Sequence, residues 1–164
     1  MSRSGYTDDY DDDDGTGGLW RGAVQRAIAG KRGQAALLEL AAAMDAMPVK
    51  VLAADSLITA DGEFCTLGVL GAARGLRMQG IDPDDWNAVA KAFGIAPAMV
   101  REIVFENDER DDREYSHWEL CGPMRPQERH ARSGYRSRVG DPAAVRWSRM
   151  RDWVSKQIVQ GGAA

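Results

Sequence analysis

The side chains of this sequence best suited to metal binding or nucleophilic chemistry are two histidines, His117 and His130, and two cysteines, Cys65 and Cys121. A structural zinc site draws on closely spaced ligand pairs. His117-x3-Cys121, followed by a distant His130, lacks that spacing, and isolated surface histidines are the simpler reading. A cysteine nucleophile needs a histidine to take its proton and a third group to orient that histidine. Neither the flanks of Cys121 nor any clear third residue completes such a set. Gly68, Gly71 and Gly75 lack the G-x-G-x-x-G spacing of a dinucleotide loop, and no Walker lysine follows them. No catalytic residue, cofactor or metal is expected.

Charge is the stronger signal. The formal net charge is −4 over 164 residues, with 44% hydrophobic and 28% charged residues. That total removes any global case for binding a polyanion, but it hides a polarity along the chain. Residues 1–18 carry six Asp against one Arg, including Asp11, Asp12, Asp13 and Asp14. Residues 82–119 carry eleven acids against four bases, and residues 123–164 reverse this with nine bases against three acids. Clustered carboxylates can present a phosphate-like field to a basic protein, as a nucleic-acid mimic would; an ordinary solvated face has the same composition. The carboxylates singled out for a basic partner are Asp11–Asp14 with Glu106, Asp108 and Glu109. Arg129, Arg132, Arg136, Arg138, Arg146 and Arg149, interspersed with Tyr135, Trp147 and Trp153, form the best local signal for nucleic acid, since arginine and aromatic faces hold phosphates and stack bases. The competing reading buries Trp153 and pairs these arginines with the acidic 106–119 segment.

The elements that must position these groups follow from apolar spacing. Residues 1–18 are acidic and small and read as a disordered arm, with Tyr6 and Tyr10 its only bulky side chains. Trp20, Val24, Ala27 and Ile28 share one face of a first helix that Gly30 can end. Leu37, Leu40, Ala41, Met44 and Met47 do the same for a second, which Pro48 stops; Lys31 and Arg32 read as a solvated corner between them. Val49–Val69 changes period and reads as two short strands around an Asp61-Gly62 turn. Asp82 and Pro83 read as the cap and first residue of the next helix, and the acid-rich run from Glu106 to Glu119 as exposed. The domain plan is an arm at 1–18, a globular core at 19–120, an Arg-rich connector at 121–140 and a C-terminal helix at 141–159 packed on the core.

VAKAFGIAPAMVREIVFENDE, residues 89–109, has the cadence of a helix-turn-helix. Ala90, Gly94, Ile95, Val100 and Ile103 fall where two such helices cross, turn and lock. The chemistry does not match, because a recognition helix exposes bases and amides toward DNA. This one offers Arg101 beside Glu102 and runs into Glu106, Asp108 and Glu109, which a duplex would repel.

Taken together, MSRSGYTDD, LWRGAVQRAIAGKRGQAALLEL, AFGIAPAMVREIVFENDE and RMRDWV resemble a family of small proteins encoded by phages and prophages of proteobacteria. The resemblance covers roughly residues 1–110 and the final helix; the run Asp11–Asp14 and the Arg-rich connector depart from it. It implies a phage-borne accessory protein of the bacterial cytoplasm and carries over no catalytic residues. The absence of an apolar signal core or membrane span in the sequence leads to the same compartment.

The expected fold is α+β and predominantly helical, with a small β-hairpin and a helix-turn-helix-like pair. The expected function is non-enzymatic binding of a host or phage macromolecule, a basic protein before a nucleic acid, through the acidic residues. The alternative is a DNA- or RNA-binding regulator that uses the six arginines, with the helix pair as scaffold.

Overall fold

The computed structural model describes residues 3–6, 16–110, 114–119, 133–138 and 142–159. Helix α1 (Thr16–Ala29) runs into α2 (Lys31–Ala46) across the single residue Gly30, whose φ of −68° is ordinary extended backbone that starts α2. Lys31 and Arg32 are therefore the first turn of α2 rather than a loop. Of the stripe predicted for α2, Leu37, Leu40, Ala41 and Met44 are buried, with Ala36 beside them, whereas Met47 follows the helix as its C-cap and is only half-buried. Each buried leucine or methionine contributes about 1.5–3 kcal/mol on leaving water.

The hairpin expected across Val49–Val69 is not formed, and the described core is all-α rather than α+β. The Asp61-Gly62 turn exists: the Thr59 amide donates to the Glu63 carbonyl at 2.8 Å and the Gly62 amide to the Thr59 carbonyl at 3.0 Å. Pairing ends with a single bridge between Ile58 and Phe64. Cys65 then caps helix α3 (Thr66–Ala73), its sulfur accepting from the Gly68 amide at 3.4 Å. α3 is buried at Thr66, Leu67, Gly68, Val69, Leu70 and Gly71 alike. A helix enclosed on every side carries no amphipathic period, so its sequence resembles a buried strand.

Helix α4 (Trp86–Phe93) starts later than Asp82-Pro83 suggests. Asp85 is the cap, its carboxylate accepting from the Asn87 and Ala88 amides at 3.0 Å each, while Asp82 and Pro83 form the preceding turn. Gly94 ends α4 with φ 63°, the left-handed conformation that glycine adopts at low cost. Pro97 opens helix α5 (Pro97–Val104), and Val89, Ala90, Phe93, Ile95, Val100 and Ile103 lock the pair into the core. The helix-turn-helix spacing is thus real packing geometry.

Helix α6 (Pro142–Gln157) completes the core with Met150, Trp153 and Val154, lying against α2. Strands β1 (Glu114–Glu119) and β2 (Ser133–Arg138) pair antiparallel, with Glu114 opposite Arg138 and Glu119 opposite Ser133. This ribbon gains no third strand among the described residues, so it forms no sheet layer. Part of the expected 121–140 connector therefore has a regular backbone. Among the described residues no helix is long and apolar enough to cross a membrane.

Candidate binding site: an acidic turn and the segment it holds

After Val104, α5 widens into a π-helical turn, Phe105–Glu109, closed by the Arg110 amide on the Phe105 carbonyl at 3.2 Å. Such turns insert a residue into the helical repeat and recur at functional sites. Here the turn creates an electrostatic problem. A helix C-terminus already carries negative partial charge, and Glu106, Asp108 and Glu109 add three carboxylates to it. Arginines from three segments answer that charge. Arg110 forks onto Glu106 at 3.0 and 3.1 Å. From α6, Arg149 donates to the Glu106 carbonyl, and Arg146 donates to the carbonyls of Asn107 at 3.0 Å and Leu52 at 2.8 Å. Arg3 reaches Asp108 from the other end of the sequence.

Asn107 holds the turn to the core. It is 2% exposed, and all four of its side-chain hydrogen-bonding positions are used. Its Oδ1 accepts from the Thr66 amide at 3.1 Å and hydroxyl at 2.6 Å, and its Nδ2 donates to the Ala53 carbonyl at 3.0 Å and to Asp108 at 2.6 Å. Asp108 also accepts from the amide of Asp55 at 3.2 Å; Asp55 has φ 61°.

Residues 3–6, Arg-Ser-Gly-Tyr, fill the groove between this turn, α4 and α1. Arg3 donates to Asp84 at 2.8 Å as well as to Asp108, and its carbonyl accepts from the Trp86 indole at 2.7 Å. Ser4 is fully buried: amide and hydroxyl donate to the two oxygens of Glu109 at 2.6 and 2.7 Å, and its carbonyl accepts from Arg101 at 2.6 Å. Gly5 has φ 71°, and a Cβ there would lie 2.7 Å from the Trp86 ring and 2.9 Å from the Arg101 guanidinium. Tyr6 donates its hydroxyl to Glu102 and packs its ring 5.0 Å from Phe105 and 5.7 Å from Trp20. Arg101 lies over Trp20 and Trp86, 4.1 and 4.4 Å from the ring centroids, where cation–π attraction fixes it. Every residue of the segment is read by a different feature of the groove.

Burial sets the protonation of the groove. It pushes the carboxyl of Asp108 above its ordinary range, against the pull of the Asn107 hydrogen bond and the Arg3 charge. Burial does the same to Glu102, against the hydrogen bond from Tyr6. The Tyr6 phenol is pushed up as well, by burial and by Glu102, and stays a neutral donor. Beneath Arg3 a cavity of about 10 Å³, lined in part by Cys65 and Leu57, has room for about one water. Burial pushes the Cys65 thiol up to about 11, so at neutral pH it is not the thiolate that nucleophilic chemistry requires.

The sequence-predicted site residues divide three ways. Glu106, Asp108 and Glu109 do come together, but they do not form the open acidic face expected: Glu106 is buried, the Asp108 side chain is only 4% exposed, and Asp108 and Glu109 face residues 3 and 4. Arg146 and Arg149, assigned from the sequence to nucleic acid, donate to the backbone carbonyls of Asn107, Leu52 and Glu106, so part of their donor set is spent inside the protein. Arg136 and Arg138 lie on β2. Asp11, Asp12, Asp13, Asp14, Arg129 and Arg132 lie outside the described residues, as do Cys121 and His130. The face of α5 that would read DNA is covered by Arg3–Tyr6 and Trp20. Composition missed Arg3, Ser4, Tyr6, Arg101 and Asn107 as site residues; the available signal was a lone arginine and two tyrosines in an otherwise small, acidic stretch. Comparison with family models, curated proteins and solved structures finds no match for this chain.

Proposed function

We propose that this chain is a non-enzymatic, phage-borne accessory protein that binds a basic host or phage protein through an Arg-Ser-Gly-Tyr-like turn, received by the groove that its own residues 3–6 occupy. The observation that carries the reading is the fit of Arg3–Tyr6: a carboxylate pair for the arginine, a bidentate carboxylate for the serine, clearance for a left-handed glycine, and an acceptor with an aromatic wall for the tyrosine. A segment serving only as a tether would need fewer of these features. The acidic residues keep the role expected of them, recognition of a cationic partner, but exercise it from a groove rather than an open face. Competition by a linked occupant sets a threshold that a partner must exceed. The nucleic-acid reading is weakened, since Arg146 and Arg149 are engaged internally.

The test is fluorescence anisotropy with a labelled MSRSGYTDD peptide on the full-length protein and on its Arg3→Ala/Tyr6→Ala variant. The variant is expected to bind the peptide at least about tenfold more tightly than the parent, because a linked competitor has been weakened. Glu109→Gln added to that variant should abolish most of the gain. Equal, weak binding by all three would overturn the proposal, and binding of labelled single-stranded DNA with no response to peptide would return the chain to the nucleic-acid reading.

A further inference from the structure

The tetrapeptide in the groove occurs twice in this chain. Arg3-Ser4-Gly5-Tyr6 recurs as Arg132-Ser133-Gly134-Tyr135. We infer that the groove has two alternative occupants within one molecule, residues 3–6 and residues 132–135, and that their exchange is the protein's switch. The inference rests on the peptide-binding reading above.

Three observations support it. The first is that all four repeated positions are ones the groove reads: Arg3 by Asp84 and Asp108, Ser4 by Glu109, Gly5 by its clearance from Trp86, Tyr6 by Glu102. The second is where the other copy sits. Ser133, Gly134 and Tyr135 lie in β2 opposite Glu119, Trp118 and His117 of β1. An extended strand cannot at the same time supply a glycine at φ 71°, so ribbon pairing and groove occupancy exclude each other. A two-stranded ribbon that gains no third strand among the described residues is marginal in water, which makes its opening inexpensive. The third is reach: the 22 residues between Glu109 and Arg132 span up to about 70 Å when extended, and the six between Tyr135 and Pro142 of α6 up to about 20 Å.

The two occupants bring opposite charge. Residues 3–6 are followed by Asp8, Asp9 and Asp11–Asp14, whereas residues 132–135 are followed by Arg136 and Arg138. The groove itself holds Asp84, Glu102, Asp108 and Glu109 with Arg101. Low ionic strength therefore favours the second copy, and a polyanion or acidic protein that holds its arginines favours the first.

The experiment follows the Trp86 indole N–H by NMR in the full-length protein, because that proton is donated to the carbonyl preceding the Ser position of the occupant. Gly5→Ala should leave the indole resonance near its parent position, since residues 132–135 take the vacated groove. Gly5→Ala/Gly134→Ala should move it to a new position, and should bind labelled SRSGYTDD about tenfold more tightly than Gly5→Ala alone, as expected when a linked competitor is removed. A resonance already shifted in Gly5→Ala, unaffected by the second substitution, overturns the exchange. If SRSGYTDD then still binds, the peptide-binding reading survives without the switch; if it does not, both fail. A parent-like resonance in Gly5→Ala that is lost on dilution, with dimers present by light scattering, overturns the intramolecular form in favour of a second copy of the chain.

Discussion

Among the described residues, two arginine–carboxylate ties join segments more than a hundred residues apart, Arg3 with Asp108 and Arg151 with Asp45, at separations of 105 and 106 residues. Their chemistry is the same and their physics is opposite. In the first, the side chains are 16% and 4% exposed; in the second, 25% and 56%. Arg151 forks onto Asp45 at 2.7 Å through both nitrogens and holds that carboxyl below its ordinary range. Arg3 cannot do this for Asp108, whose burial outweighs the attraction and drives its carboxyl upward. An exposed pair clasps two surfaces and is screened by water. A buried pair is tolerable only when the remaining lone pairs are satisfied, as Asn107 and the Asp55 amide satisfy those of Asp108. The clasp is incidental to α2 and α6 packing; the buried tie demands one particular arrangement of its surroundings.

The largest break in that contrast is Asn107→Ala. It strips partners from the buried Thr66 amide and hydroxyl and from the Ala53 carbonyl, and removes the neutral donor beside Asp108. A loss of about 3 kcal/mol in unfolding free energy is expected, read from denaturant midpoints. A loss under about 1 kcal/mol would mean that the turn is not pinned by this residue.

Gly5→Ala comes next and separates the groove from the core. The added methyl meets Trp86 and Arg101 in a left-handed backbone, so the segment should leave while the helices stay. Hydrogen exchange at residues 3–6 should quicken at least about tenfold, equivalent to about 1.4 kcal/mol of local opening, with the global midpoint nearly unmoved. A large fall in the global midpoint would show the segment to be part of the core instead.

The smallest effects are those of Asp45→Asn and of pH. Asp45→Asn should shift the midpoint only slightly, and the shift should vanish at high salt. The raised carboxyls of Asp108 and Glu102 bind protons in the native state before they do in the unfolded chain. Their unfavourable contribution at neutral pH is therefore relieved as pH falls through the raised range toward the ordinary carboxylate values. Asp45 and Glu39, both lowered by arginine partners, behave oppositely: their contribution is complete above the ordinary values and is lost as pH falls below them. Urea midpoints at neutral, mildly acidic and strongly acidic pH, in the parent, Asp108→Asn and Asp45→Asn, resolve the two signs.

What could be read from the sequence follows from how local each feature is. The stripes of α1, α2, α4, α5 and α6 and the turn at Gly94 are properties of neighbouring residues, so apolar spacing exposes them. α3 is not, because Leu67, Val69 and Leu70 are buried on all sides and their enclosure comes from other helices. The carboxylates of 106–109 were visible as composition, yet nothing local distinguishes a solvated acidic face from one that closes over Arg3 and Ser4. Arg146 and Arg149 illustrate the same limit: their roles are set by carbonyl groups some forty residues away, 39 and 43 by number.

The use of those two arginines carries a consequence for the order of synthesis. Residues 3–6 leave the ribosome about a hundred residues ahead of the turn that receives them, and the guanidinium groups that steady the turn arrive about forty residues later still. At usual elongation rates of about 5–20 residues per second, that is a wait on the order of ten seconds. Throughout it the Arg-Ser-Gly-Tyr segment is without its groove and available to any other acidic surface nearby. Translation arrested before Asp84 leaves a nascent chain that displays this segment without the groove that holds it.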